Sequence, residues 1–220
     1  MERRMTFRNR ILTTLAAFLT LVSAAAAQDL EPLKIDEKAG QVSFGAKALK
    51  ADVHPQLQGA IEYILTLPGG KAYESCFETA AIDVLKLYEG LQKIGAKPGK
   101  YATGDKPATG DKLKMSVEWK DGDKARKEPI EAFVYDEDTK KPMENVQWLF
   151  SGSKGGFVPE IDNMGLLVLS TKNLMGLYQG DPTPLITNPT PLMTGHRYKL
   201  NKALLLKEGT PVKIVIETAK

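Results

Sequence analysis

The residues best equipped for chemistry lie in one short run, Gly69-Gly70-Lys71-Ala72-Tyr73-Glu74-Ser75-Cys76. A double glycine lets the backbone approach a ligand closely, and Lys71 and Glu74 supply a cation and a carboxylate three positions apart. In that arrangement Glu74 is a candidate general base and Lys71 a stabiliser of developing charge, the logic of a hydrolytic site. The same pair, with Gly69, Gly70 and Tyr73, equally suits a ligand-binding surface. A phosphate cradle matches poorly, because a P-loop has more glycines and opens a helix directly on its lysine. An acyl-transfer elbow is missing from the chain, since no Gly-x-Ser-x-Gly occurs.

The other reactive side chains are few. His54 and His196 are the two imidazoles, and neither has a second His or a Cys at metal-ligand spacing. No metal site is predicted. Cys76 is the single cysteine, beside Phe77 and without a nearby His to activate it. It is expected to be a buried small hydrophobe rather than a nucleophile.

These groups need elements to position them. Leu33 to Leu49 reads as a hairpin turning at Glu37 to Gly40. Ile61 to Leu67 is the strongest strand, and the turn Pro68-Gly69-Gly70-Lys71 is expected to return the chain as a paired strand over Tyr73 to Glu78. Thr79 is placed as the cap of a helix over about 80–94, whose apolar face carries Ile82, Leu85, Leu91 and Ile94, and Gly95 stops it. A second hairpin runs from Leu113 to Trp119 and from Ala125 to Pro129. Val146 to Phe150, Gly165 to Ser170 and Val212 to Glu217 complete the strands. The class that follows is α+β, a mostly antiparallel sheet packed by one main helix.

Two segments repeat themselves. Ala102-Thr-Gly-Asp-Lys106 recurs as Ala108-Thr-Gly-Asp-Lys112, which suggests a flexible, solvated insertion over about 97–112. One carboxylate per six residues, at Asp105 and Asp111, is too sparse for a calcium loop. Pro182-Thr-Pro-Leu-Ile-Thr recurs as Pro189-Thr-Pro-Leu-Met-Thr, and is expected to be a crossover that docks Leu185, Ile186, Leu192 and Met193 on the core.

The first 27 residues set the address. Arg3, Arg4, Arg8 and Arg10 precede an apolar run of 12 residues, Ile11 to Val22, and small residues end at Ala27. This is the pattern of an export signal cleaved between Ala27 and Gln28. As a helix the run rises only about 18 Å, short of a ~30 Å hydrocarbon core, so no membrane span is expected after cleavage. The chain's formal charge of +3 belongs to that leader, which holds four Arg and one Glu. Residues 28–220 are therefore balanced, and a nucleic-acid partner is not expected. They are read as one domain, periplasmic or secreted.

The pieces also resemble a known family. Ile61-Glu-Tyr-Ile-Leu with Pro68-Gly-Gly-Lys-Ala-Tyr-Glu-Ser75 is similar to the signature of the YdjY-like domain, a family of exported bacterial proteins without an assigned reaction. The resemblance continues through Leu91 to Pro98, Val117-Glu-Trp119, Trp148-Leu-Phe-Ser-Gly-Ser153 and Glu208 to Val215. It implies roles for Lys71, Glu74, Trp148, Ser151 and Ser153. The family pattern expects His where Tyr73 stands. Some relatives are described with an iron–sulfur cluster, but a single Cys excludes one here, since a cubane takes about four.

Two functions are carried forward from these residues. One is an exported, non-catalytic binding or accessory module, contacting a small ligand or an envelope protein through the surface around Lys71, Glu74 and Ser153. The other is a hydrolase in which Glu74 and Lys71 share a pocket with Ser153 and with Asp162 or Asn163.

Overall fold

The computed structural model describes residues 30–50, 55–104, 106–158, 163–190, 193 and 195–219. The leader with its cleavage point at Ala27 and Gln28, His54, Asp105, Asp162 and Leu192 lie outside the described residues.

Alternation decides the central strands. In β2 (Gln41–Ala48), β5 (Lys112–Asp121) and β15 (Pro211–Thr218) every second side chain is apolar. The register stacks those positions: Phe44 pairs with Ile214 and Ile214 with Val117, while Val42 pairs with Ile216 and Ile216 with Met115. All six are buried. A shift of one residue would turn each of them to the other face, so the pattern fixes the register.

The sheet then closes. β2 pairs β15, β15 pairs β5, and β5 pairs β9 (Trp148–Leu149). The path runs on through β13 (Ile186–Thr187), β12 (Asn173–Gly176), β3 (Tyr63–Thr66) and β4 (Ser75–Glu78). β4 pairs β2 again, which makes a closed barrel of eight strands. Closure pairs strand edges that would otherwise be open. β1 (Lys34–Asp36) adds to β2 on the side that β4 also uses, and β6 (Lys124–Pro129) adds to β5 beside β9. Outside the barrel, β7 (Val134–Asp136), β8 (Lys141–Pro142) and β14 (Tyr198–Leu200) form a small antiparallel sheet. β10 (Gly155–Val158) and β11 (Asn163–Leu166) form a separate hairpin.

The fold is therefore β-rich and mostly antiparallel with one main helix, α1 (Val84–Lys93). Asp83 caps α1, accepting from Leu85 N at 2.8 Å and Lys86 N at 3.2 Å. Thr79, expected as the cap, instead donates to Gly45 O and holds β4 against β2, so the helix starts later than residue 80. Gly90 is what lets α1 dock, since a Cβ there would lie 2.9 Å from Ile35 Cδ1. Tyr88 of α1 meets Phe150 edge to face at 5.2 Å. The helix thus bridges β1 and β2 to the chain just after β9, three strands away around the barrel.

Three expectations need correction. The chain through 68–74 is not a hairpin turn, because β3 and β4 run parallel, with Tyr63 opposite Ser75 and Leu65 opposite Phe77. A 3-10 turn at Ala72–Glu74 carries the chain across to start β4 alongside β3. Within Gly165 to Ser170 the strand β11 ends at Leu166, and a short helix, α2 (Val168–Thr171), follows. The 97–112 loop touches the barrel at Ala102 and Ala108, which are buried with Leu149, and Gly99 N donates to Phe150 O, while Lys100, Thr103, Lys106 and Thr109 are exposed. In the proline-rich crossover Leu185 and Ile186 are fully buried, whereas Met193 is 70% exposed.

Candidate functional site

The parallel pairing of β3 and β4 brings Lys71 and Glu74 to a partner the local sequence does not name. Glu62, just before β3, receives its position from two backbone bonds: its N–H donates to Glu74 O and its carbonyl accepts from Leu177 N. Its carboxylate then meets Lys71. Lys71 Nζ lies 3.0 Å from Glu62 Oε2 and 3.1 Å from Glu74 Oε2. The ammonium sits 5.5 Å from the centre of the Tyr63 ring. Tyr63, itself buried, donates to Asp181 Oδ2 at 2.8 Å. The cluster is thus Glu62, Tyr63, Lys71, Glu74 and Asp181, with Tyr178 at its side.

The backbone of the glycine turn is fixed from a distance. Lys71 N donates to Asn173 Oδ1 at 3.0 Å, and Ser75 Oγ donates to Lys71 O at 2.7 Å. Gly70 faces the same asparagine so closely that an added Cβ would collide with Thr66 Oγ1 and lie 2.9 Å from Asn173 Oδ1. Packing against β12 therefore requires glycine at this position.

Charge in the cluster is shared unevenly. Burial pushes the Glu74 carboxyl above the usual carboxylate range, its hydrogen bond with Glu62 adds to that, and Lys71 opposes both. Burial works against the Lys71 ammonium, but bonds to Glu62 and Glu74 outweigh it and hold it above its ordinary value. Tyr63 is raised by burial and then by the Asp181 carboxylate beside it. Two carboxyl groups beside one lysine are the parts of an acid–base site. Access to it is narrow: the Glu74 side chain is 8% exposed.

The other expected residues are held elsewhere. Trp148 is fully buried and its Nε1 donates to Glu131 Oε2 at 3.3 Å. Ser151 Oγ donates to the carbonyls of Pro184 and Leu185, and Ser153 Oγ donates to Thr183 O while accepting from Val168 N. These hydroxyls fasten the proline-rich crossover to the barrel. Ser153 approaches the cluster only through Thr183, whose N–H donates to Asp181 Oδ1. Cys76 is buried, and burial pushes its thiol upward. Gly69 turns with a positive φ of 89°, and Tyr73 is 37% exposed. His196 is exposed on the approach to β14, and Asn163 begins β11. Among the described residues no three His, Cys, Asp or Glu side chains are grouped to hold a metal.

A cleft that the sequence did not advertise lies between the small sheet and the chain flanking β9 and β13. Its volume is about 650 Å³, within the usual range for ligand sites. One wall is built on Arg197, which donates from Nε to Asp136 Oδ1 at 2.8 Å and from Nη2 to Asp136 Oδ2 at 2.7 Å. The guanidinium also stacks on Tyr198, 5.1 Å from the ring centre. Arg197 holds the Asp136 carboxyl below the usual range, against some burial. The facing wall carries Asn145, Gln147, Asn188 and Thr190. Asn188 is 2% exposed; its Nδ2 donates to Leu177 O and its Oδ1 accepts from Thr190 N. Leu177 is the residue that also donates to Glu62, so cleft and cluster share one backbone link.

Glu62, Asp181, Asp136 and Arg197 were missed in the sequence. Glu62 stood inside a motif that reads as a strand, and Arg197 is 61 residues from Asp136. A family model described as YdjY domain matches residues 33–217. No curated protein matches the chain, and no solved structure does.

Proposed function

The chain belongs to the YdjY domain family, and from that premise we propose that it is an exported, non-catalytic binding module whose ligand enters the cleft beside Arg197. One observation carries the reading: the groups equipped for catalysis are committed to each other, while an open cleft presents polar side chains to solvent. Lys71 is held by Glu62 and Glu74, and the hydroxyls of Ser75, Ser151 and Ser153 each donate to a backbone carbonyl. The leader ending at Ala27 supports export to the periplasm or beyond, and the ligand is then a small molecule or an envelope component. We also keep the α+β class for this β-rich fold, because α1 supplies Val84, Leu87 and Leu91 to the single large core.

A second reading, a hydrolase with Glu74 as general base, draws on the raised carboxyl of Glu74 beside Lys71. The narrow exposure of Glu74 weighs against it. The experiment is purification of the protein from the envelope fraction, followed by mass spectrometry of what accompanies it. A bound compound recovered unchanged, and lost when Asn145 and Gln147 are replaced by Gly and Ala, supports the module. A compound that the protein converts, with conversion abolished in Glu74→Gln, overturns it.

A further inference from the structure

One long sheet edge, β6, stands open, and we propose that it takes an extended, acidic segment of another protein by strand addition. The edge shares no residue with the cleft.

Closure of the barrel pairs both sides of its eight strands, but β6 lies outside that ring. Among the described residues β5 is its one partner, through pairs running from Asp121–Lys124 to Ser116–Pro129. The six residues of β6 span about 20 Å. β1, β8, β10, β11 and β14, which also have an unpaired side, run four residues or fewer.

The hairpin turn fixes which groups point out. Gly122, with a φ of 60°, and Asp123 form a two-residue turn, so Asp121 and Lys124 close the hairpin as a mutually bonded pair. Antiparallel bonding alternates from there. Lys124, Arg126 and Glu128 turn their N–H and C=O to β5, while Ala125 and Lys127, both exposed, turn theirs outward. Such a row of amides and carbonyls is matched in full by the backbone of another strand, which neither a lipid headgroup nor a nucleic acid supplies.

The side chains select that strand's charge. Lys124 and Arg126 stand on one face of β6 and Lys127 on the other, against the single carboxylate of Glu128. Lys124 and Arg126 are exposed and make no ion pair among the described residues. Lys127 reaches Glu118 at 3.1 Å, but Lys213 shares that carboxylate at 3.6 Å. Asp121 and Asp123 lie at the turn and oppose these cations at one end only. A groove of about 730 Å³ alongside is lined by Lys120, Arg126, Lys127 and Lys213 against Glu31 and Glu118. Acidic side chains on an added strand meet the cations of β6 across the edge. A second copy does not fit: pairing about Arg126 sets two guanidinium groups opposite each other, on strands that each carry three cations and one carboxylate. Lysines along an edge repel strands of their own sign and leave it open to the opposite one.

The test is fluorescence anisotropy of the purified protein at low ionic strength with a labelled octapeptide of alternating Glu and Val. Its fully N-methylated analogue and an alternating Lys-Val octapeptide are the controls. The Glu-Val peptide is expected to bind and to be released as salt rises. Ala125→Pro removes an outward N–H without breaking a bond to β5, and should weaken binding about tenfold or more. The double variant Lys124→Glu, Arg126→Glu should lose binding at an unchanged thermal midpoint. If the proline variant unfolds, the N-methylated peptide makes the same comparison on the wild-type protein, because it keeps the charge and lacks the donors; it should not bind. No binding of the Glu-Val peptide, equal binding of its N-methylated analogue or of the Lys-Val peptide, or full affinity in a folded variant overturns the proposal. Sedimentation of the wild-type protein as a dimer that Ala125→Pro dissociates also overturns it, since a second copy then covers the edge.

Discussion

Arg197 grips both oxygens of Asp136, at 2.8 and 2.7 Å, and so ties the approach to β14 to the end of β7. The pair fixes one wall of the cleft. Its geometry is the bidentate fork that only arginine makes with a carboxylate, and the Tyr198 ring supports its face.

Asp136→Asn should cost about 2 kcal/mol at neutral pH, since it removes the charge from a largely buried, doubly bonded acceptor. Arg197 holds the carboxyl of Asp136 below its ordinary value of 3.8. A depressed acid adds stability above that value and loses it as pH falls through the folded one. The gap between wild type and variant should therefore narrow below about pH 3.8. Urea unfolding at pH 7 and pH 3 measures it, and a gap that is constant across the two would contradict the assignment.

Glu74 carries the opposite sign. Burial and Glu62 raise it above its ordinary value of 4.5, so its contribution is complete below that value and declines as pH rises through the raised one. Glu74→Gln mimics the protonated form and should flatten the stability profile above pH 4.5 without unfolding the protein. Thermal midpoints collected from pH 4 to pH 8 would expose an unchanged slope, the outcome that sinks this account.

Gly70→Ala should destabilise by about 1–3 kcal/mol through overpacking. The new methyl meets Thr66 Oγ1, Asn173 Oδ1 and Lys172 O, which are held by their own bonds. If the glycines served a ligand instead, the variant would lose binding and keep its unfolding midpoint.

Cys76 is 3% exposed, next to Phe77 in β4. Cys76→Ser should cost about 1–3 kcal/mol by burying a hydroxyl. A thiol reagent should label native Cys76 only after unfolding. Labelling within seconds under native conditions would mean that the thiol is open.

How much of this was readable in the chain depends on the range of each interaction. The strands β2, β5 and β15 were legible because Val42, Phe44, Val117 and Ile214 obey a period of two, a local pattern. The Lys71–Glu74 pair was legible for the same reason, being three residues apart. Glu62 was not, because it reaches Lys71 only through a parallel β3–β4 pairing that Pro68-Gly69-Gly70 disguises as a hairpin. Ser151 and Ser153 were singled out by the family resemblance alone, and their bonds run to Thr183, Pro184 and Leu185, some thirty residues on. The helix start slipped because Thr79 found a partner in Gly45, 34 residues back, and left capping to Asp83.

The central claim is that ligand binds in the cleft and not at the lysine–glutamate cluster. Chemical-shift mapping on nitrogen-15-labelled protein, titrated with the compound that co-purifies from the envelope fraction, tests it most directly. Shifts at the side-chain amides of Asn145 and Gln147 and at the backbone of Thr190 and Arg197 are predicted. Shifts confined to Glu62, Lys71, Tyr73 and Glu74 would contradict the account.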